Sequence, residues 1–313
     1  MRIAVFGSGG VGGYFGGRLA EAGDDVAFIA RGAHLAALRE RGLTVTSVAG
    51  DFSVRPVEAT DDPAALGAVD LVLVGVKAWQ VSEAAEAMRP LVGMRTAVLP
   101  LQNGIEAPDR LAAVLGANHV LGGLCRIIAY VEGPGHIRHV GVPPSVTLGE
   151  LDGSSSPRVE AVRQAFARAR GVTAEIVPDV RAAMWEKFLF IAATSGVGAL
   201  TRAPVGVIRS QPETRRLLEQ ALEEIHAVAR AHRVALPADA VTRTLAFVDS
   251  LPADGTMSMQ RDVMEGRPSE LDAQTGAVVR LGEARGVAVP VHRLIYAALL
   301  PLERAARGEI RLA

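Results

Sequence analysis

Met1-Arg2-Ile3-Ala4-Val5-Phe6-Gly7-Ser8-Gly9-Gly10-Val11-Gly12 opens the chain, and the order of apolar run, glycine cluster and helical stretch decides the fold. Met1 to Phe6 reads as a short buried strand. A GxGxxG string alone is weak, but one that follows a strand and opens a helix has the context of a dinucleotide-binding turn. Gly7 suits the tight turn, Gly9 lets the backbone approach a pyrophosphate, and Gly12 lets the helix pack closely on the strand. Ser8, Gly10 and Val11 complete the loop, and the helix start offers free N–H groups to phosphate. Because Gly13, Gly16 and Gly17 follow, the bland alternative is a glycine-rich turn. Against it stands the motif's place at the very start, where the first strand of such a sheet belongs.

The second strand separates NAD from NADP. An NAD enzyme places an acid about 20 residues past the glycines to hold the ribose 2′-OH, whereas an NADP enzyme supplies arginine nearby. Val26 to Ala30 reads as this strand, and it ends on Arg31 with no acid beside it. Asp24 and Asp25 precede the strand and are expected to be solvated. Arg31 is therefore the expected ligand of a 2′-phosphate, and NADPH the expected cofactor.

Further along, short Val/Ile/Leu-rich strands alternate with Ala-rich helices: Leu71 to Val76, Thr96 to Pro100 and Val120 to Gly123 read as members of a parallel sheet. Arg126 to Glu150 looks antiparallel, with turn signals at Gly133-Pro134-Gly135 and at Pro143-Pro144. Past Pro178 the strand signal ends. Helical periodicity takes over, broken by Pro204, Pro212, Pro237, Pro252, Pro268 and Pro290. The expected architecture is an α/β, Rossmann-type doubly wound sheet domain over 1–177, followed by an all-α domain over 178–313. A length of 313 residues agrees with two domains.

Composition narrows the function classes. With Lys+Arg 33 against Asp+Glu 34 there is no basic block for nucleic acid. The single Cys125 allows no internal disulfide, which fits a reducing, cytoplasmic compartment. The amino terminus reads as a core strand rather than a signal peptide, and no apolar run reaches membrane-spanning length. His136 and His139 lack a third ligand, so no metal is expected.

Polar residues at the carboxyl ends of parallel strands are site candidates. Leu71 to Val76 delivers Lys77, and Ala97 to Leu101 delivers Gln102-Asn103-Gly104. Lys77 and Asn103 are the pair chosen, although a solvated lysine and an Asx turn before Gly104 fit equally well. In the helical half, Met184 to Ala193 is apolar nearly all round, which predicts a helix buried at the domain junction. Lys187 on it must reach a polar cavity or snorkel to solvent. In a cavity, desolvation would lower its pKa and suit a proton donor in carbonyl reduction. Ser258 and Glu270 flank a short helix ending near Gly266, where a cap and a first-turn acid are ordinary roles.

Taken in order, these pieces resemble the ketopantoate reductase (2-dehydropantoate 2-reductase) family. The resemblance rests on the glycine loop, Val76-Lys77-Ala78-Trp79-Gln80, Leu101-Gln102-Asn103-Gly104, Trp185-Glu186-Lys187 and the stretch from Ser258 to Glu270. It spans nearly the whole chain. It implies NADPH-dependent reduction of a small-molecule 2-oxo acid, with Lys187 as general acid, Glu270 holding the substrate hydroxyl or Lys187, and Ser258 on the substrate carboxylate. It further implies that Lys77 and Asn103 lie near the nicotinamide end and the substrate, and that Arg31 binds the 2′-phosphate.

Three positions depart from the family pattern. Where asparagines recur four and eight residues after the lysine, this chain has Ile191 and Ser195, and Gly255 stands where an asparagine can precede the serine. A reductase of another 2-oxo acid is thus the second expectation. A non-catalytic NADPH-binding regulator is a third, but it would not need Lys187 and Glu270. No nucleic-acid or membrane partner is expected, and a homodimer is left open.

Overall fold

The computed structural model describes residues 1–312. The protein divides into two units, Met1–Gln102 with Ala107–Ala183, and Asn103–Glu106 with the chain from Met184 onward.

The first unit runs β1 (Arg2–Phe6), α1 (Gly10–Glu21), β2 (Asp25–Ile29), α2 (Gly32–Arg41), β3 (Leu43–Ser47), β4 (Phe52–Val54), β5 (Glu58–Thr60), β6 (Val69–Val74), α3 (Val81–Ala87), β7 (Val92–Pro100), α4 (Ala107–Leu115), β8 (Leu121–Gly133), β9 (His136–Glu150), α5 (Pro157–Arg168) and β10 (Thr173–Ile176). Five strands form an all-parallel sheet in the order β5-β2-β1-β6-β7. Because side chains alternate across a strand, Ile3 and Val5 enter one core with Tyr14, Phe15 and Leu19 of α1. Ala4 and Phe6 enter a second core with Val81, Ala84 and Ala85 of α3. A sheet buried on both faces must be apolar almost throughout, which is why these strands read so clearly.

Two expectations about strands are corrected. Val120 to Gly123 does not start a further member of the parallel sheet, to which an isolated Val98–Val120 bridge connects it. Instead Leu121 begins a long strand, β8, that pairs antiparallel with β9 in a second sheet of order β10-β9-β3-β4. An apolar strand start looks the same whichever partner it finds. Nor is Pro143-Pro144 a turn, since β9 runs through it. Arg126 faces Ser145 and Ile128 faces Val140, so Ile127 alone stands opposite residues 141–144. That bulge leaves the ladder where two prolines, lacking N–H groups, need no partner. The Gly133-Pro134-Gly135 signal does mark a tight connection, with Gly135 at φ 75°.

Asp24 is also not solvated. Its side chain is buried and accepts from the Met1 ammonium at 3.0 Å and from Arg168 at 2.9 Å. Arg18 is likewise fully buried on α1, with its guanidinium 3.9 Å from the Phe52 ring centroid and bonded to the Gly50 carbonyl.

The second unit is helical: α6 (Val180–Thr201), whose first turn lies in the first unit, α7 (Val205–Ser210), α8 (Pro212–Ala231), α9 (Ala240–Ser250), α10 (Ser258–Met264), α11 (Ala277–Ala284) and α12 (Pro290–Ala306). Pro212 and Pro290 occupy first helical positions, where the missing N–H would be unpaired anyway. Pro301 sits inside α12, which continues through it. Leu189, Ala192, Ala193 and Val197 put α6 in the core of this unit. Among the described residues no helix is long and apolar enough to cross a membrane.

Candidate active site

In the first unit, chain order runs from β1 outward to β2 and β5, then crosses back to β6 and β7. The carboxyl ends of β1 and β6 therefore flank the point where strand order reverses, the usual ligand crevice of an open parallel sheet. The Gly75 N–H donates to the Phe6 carbonyl at 2.8 Å, stitching the two ends together. Gly7 follows β1 at φ +97°, and a Cβ there would lie 2.6 Å from the Val76 nitrogen. A Cβ on Gly12 would lie 2.2 Å from the Gly7 carbonyl oxygen. Gly10 is equally constrained, with the Ala129 oxygen 2.3 Å from its Cβ position.

Gly9 differs, because no heavy atom stands within 4 Å of a Cβ built there. Space is open above the loop at the residue that caps α1. The first-turn N–H groups of α1 at Gly10, Val11 and Gly12 have no acceptor within the helix. An open position over unpaired donors fits a pyrophosphate. Ser8 does not face that space with its hydroxyl, which is buried and donates to the Ile29 carbonyl at 3.0 Å. Arg31 is exposed one residue beyond the Ala30 that follows β2, at the N-cap of α2, so its cation is available to an additional phosphate. Lys77 is exposed after Gly75 and Val76, which follow β6, and its ammonium lies 5.8 Å from the Trp79 ring centroid.

In the second unit, Asn103 Nδ2 donates to Glu270 Oε2 at 3.3 Å, and Gln274 Nε2 donates to the same oxygen at 3.4 Å. Both donors are amides, so the buried Glu270 is held as an acceptor. Glu270 is not in an ordinary first turn. It precedes a π-helical segment, Asp272–Gly276, that leads into α11, and Gly276 N–H donates to the Leu271 carbonyl at 3.0 Å. Arg280 ties this segment to the strand-end loop through Asp272 and Glu106, each at 2.8 Å.

The backbone beside Glu270 is fixed by Glu303 of α12. Its carboxylate accepts the Ser269 N–H at 3.0 Å and the Ser269 hydroxyl at 2.5 Å, while Ser269 Oγ accepts from Leu271 N–H at 3.2 Å. Ser269 and Glu303 are both buried. Glu303→Leu should leave the Ser269 donors unpaired at about 1–3 kcal/mol per buried group. Urea unfolding should show this loss, and a parent-like midpoint would show that the clamp carries no stability.

Lys187 stands half-buried on α6, and Ile191 and Ser195 follow at helical spacing on the same face. Ser195 is fully buried and its hydroxyl has no hydrogen-bond partner. Trp185 packs edge-on against Phe188, and Phe190 against Phe247, which anchors the apolar faces of the helix. Ser258 is half-buried at the start of α10, but it is not the cap, a position held by Met257.

The geometry adds two residues that sequence reasoning misses. Gln274 lies one helical turn past Glu270, a spacing that signals contact once a helical turn is known there. Gln102 is buried and donates to both the Val74 and Val76 carbonyls, bracing the ends of β6 and β7. Its strand-end place beside Asn103 is the signal that could have found it.

Residues 3–153 match the family model described as Ketopantoate reductase PanE/ApbA, and residues 179–303 match the C-terminal model of the same family. The uncharacterized oxidoreductase YkpB of Bacillus subtilis is 32% identical over 305 residues, covering 96% of this chain and 98% of that protein. The 2-dehydropantoate 2-reductase of Mesorhizobium japonicum is 32% identical, covering 90% of this chain and 91% of that one. Among solved structures, a PanE/ApbA family ketopantoate reductase from Ralstonia eutropha superposes with a TM-score of 0.89 at 33% identity, covering 98% of this chain and 100% of that chain. The same parallel-sheet and helical architecture, carried by a sequence that matches in both halves, means that this chain belongs to the ketopantoate reductase family.

Proposed function

We propose that this protein is an NADPH-dependent 2-dehydropantoate 2-reductase, converting ketopantoate to pantoate for pantothenate biosynthesis in the cytoplasm. The first unit binds the nucleotide and the second the substrate. The observation that carries this reading is the Asn103–Glu270–Gln274 hydrogen-bonded cluster in a chain of this family.

NADPH, when bound, supplies the hydride. The glycine loop from Gly7 to Gly12 holds its pyrophosphate, Arg31 its 2′-phosphate, and Lys77 and Asn103 the nicotinamide end. Lys187 donates a proton to the carbonyl oxygen as charge develops there, and its ammonium stabilises that charge electrostatically. Glu270, kept as an acceptor by two amides, takes the substrate hydroxyl or orients Lys187. Ser258 donates to the substrate carboxylate. The net change is a 2-oxo acid, a hydride and a proton going to a 2-hydroxy acid.

The test is to compare kcat/KM for ketopantoate with that for a panel of other 2-oxo acids, using NADPH. Ketopantoate among the best substrates supports the assignment, and no turnover of it contradicts the assignment.

Ile191 and Ser195 favour a second reading, in which a bulkier or more apolar 2-oxo acid competes with ketopantoate. A wall built with fewer hydrogen-bonding groups discriminates less against substrates that lack them. The double variant Ile191→Asn, Ser195→Asn should shift preference toward ketopantoate. An unchanged ratio of catalytic efficiencies would mean that these positions do not read the substrate.

A further inference from the structure

Asn103 and Glu270 meet through a hydrogen bond of 3.3 Å between segments 167 positions apart. A bond that long is weak, so other contacts must set the register of the two segments. Gly104, at φ +115°, brings the strand-end loop close to the stretch after Glu270, and a Cβ there would lie 3.2 Å from the Ala273 carbonyl oxygen. Arg280 of α11 supplies the second contact. Its Nη2 donates to Glu106 Oε2 at 2.8 Å and its Nη1 to Asp272 Oδ1 at 2.8 Å, while Nη2 also donates to the Asp272 carbonyl at 3.1 Å.

Glu106 follows Asn103 in the same short loop, and Asp272 follows Glu270 at the start of the π-helical segment. Because a guanidinium is planar and its donors form a rigid fork, the two carboxylates it holds are kept at one separation. One side chain thus clamps the stretch that carries Asn103 to the stretch that carries Glu270. The Asp272 side of the clamp is itself fixed, since Tyr296 of α12 donates its hydroxyl to Asp272 Oδ1 at 3.0 Å. This ion pair lies directly over Gly276, where a Cβ would come within 2.9 Å of Asp272 Oδ1 and 3.1 Å of Arg280 Nη1. Glycine at that position makes room for the clamp.

We infer that Arg280 is a positioning residue for the reduction: it holds Asn103 beside Glu270 and so keeps amide and carboxylate in the arrangement that the reacting carbonyl needs. This rests on the roles proposed above for Asn103 and Glu270. The bland alternative is an ion pair that serves stability alone. Glu106, Arg280 and Asp272 have side chains 25%, 40% and 50% exposed, however, and pairs open to solvent to that degree add little to stability. Loss of Arg280 is therefore expected to cost rate more than fold. A misplacement of about 1 Å can cost about 10²-fold in rate. The proposed phosphate contacts of the nucleotide lie elsewhere, at the glycine loop and Arg31, so its affinity is not expected to follow.

The test is a double-mutant cycle on the full chain between Arg280→Met and Asn103→Ala. Single-turnover rates with NADPH and ketopantoate are the main readout, accompanied by NADPH dissociation constants and thermal unfolding. Methionine keeps a long stem without the charge. We expect Arg280→Met to slow the parent roughly 10–100-fold at parent-like NADPH affinity, and to slow the Asn103→Ala background by a clearly smaller factor. A group that acts through Asn103 loses its effect once the amide is gone. An equal or larger factor in the Asn103→Ala background, a loss confined to NADPH affinity, or a parent rate in folded Arg280→Met overturns the inference. Should Arg280→Met not fold, Glu106→Ala takes its place in the same cycle, because it opens the loop side of the clamp and leaves Arg280 on Asp272. No ketopantoate turnover by the parent would overturn the proposed function itself, and the inference with it.

Discussion

Lys187→Ala should lower turnover by about 10²–10⁴-fold, the range a positioned general acid contributes, while NADPH affinity stays at the parent level. The lysine stands half-buried on a helix whose neighbouring residues Phe188 and Leu189 are fully buried. Truncation to alanine keeps that packing and good helix propensity. Loss of rate is then separable from loss of fold. Single-turnover rates at saturating NADPH, with thermal unfolding as the control, are the measurement. A folded variant that reduces ketopantoate at the parent rate would make Lys187 structural and remove the proton donor from the mechanism.

Arg31→Ala should weaken NADPH by roughly 10–100-fold, the effect of about 1.5–3 kcal/mol for a hydrogen bond to a charged group, while NADH binding changes little. Arg31 is exposed at the end of β2 and donates no cap to α2, so its removal leaves the protein's own hydrogen bonds intact. Raised salt should narrow the gap between the cofactors in the parent, because an exposed ion pair is screened. Equal losses for NADPH and NADH would show that Arg31 does not read the 2′-phosphate.

Features set by local chemistry are legible in the sequence. The strand, glycine loop and helix at the amino terminus follow from a period change within a few residues, and the prolines before α8 and α12 mark helix starts. Gly7 and Gly12 stand out on spacing, and both are places where a Cβ would collide with backbone. Asn103 and Glu270 come from segments 167 positions apart and share a hydrogen bond. What escapes depends on partners that are distant in sequence. Nothing near Val120 says that the strand beginning at Leu121 pairs with β9, and a double proline reads as a turn until its partner strand reveals a bulge. Asp24 is a turn acid by composition, yet it is buried against the chain's first ammonium and Arg168, 144 positions away. Gln274 gains meaning only once a π-helical turn sets it beside Glu270.

Reduction of a 2-oxo acid at the expense of NADPH is the central claim. The direct measurement follows both sides of the reaction at once, incubating the protein with NADPH and ketopantoate while quantifying nucleotide oxidised and pantoate formed. Equal amounts of the two are predicted, and no pantoate when NADPH is left out. Tight NADPH binding without reduction of ketopantoate or of any other 2-oxo acid would contradict the claim and leave a nucleotide-binding protein without this chemistry.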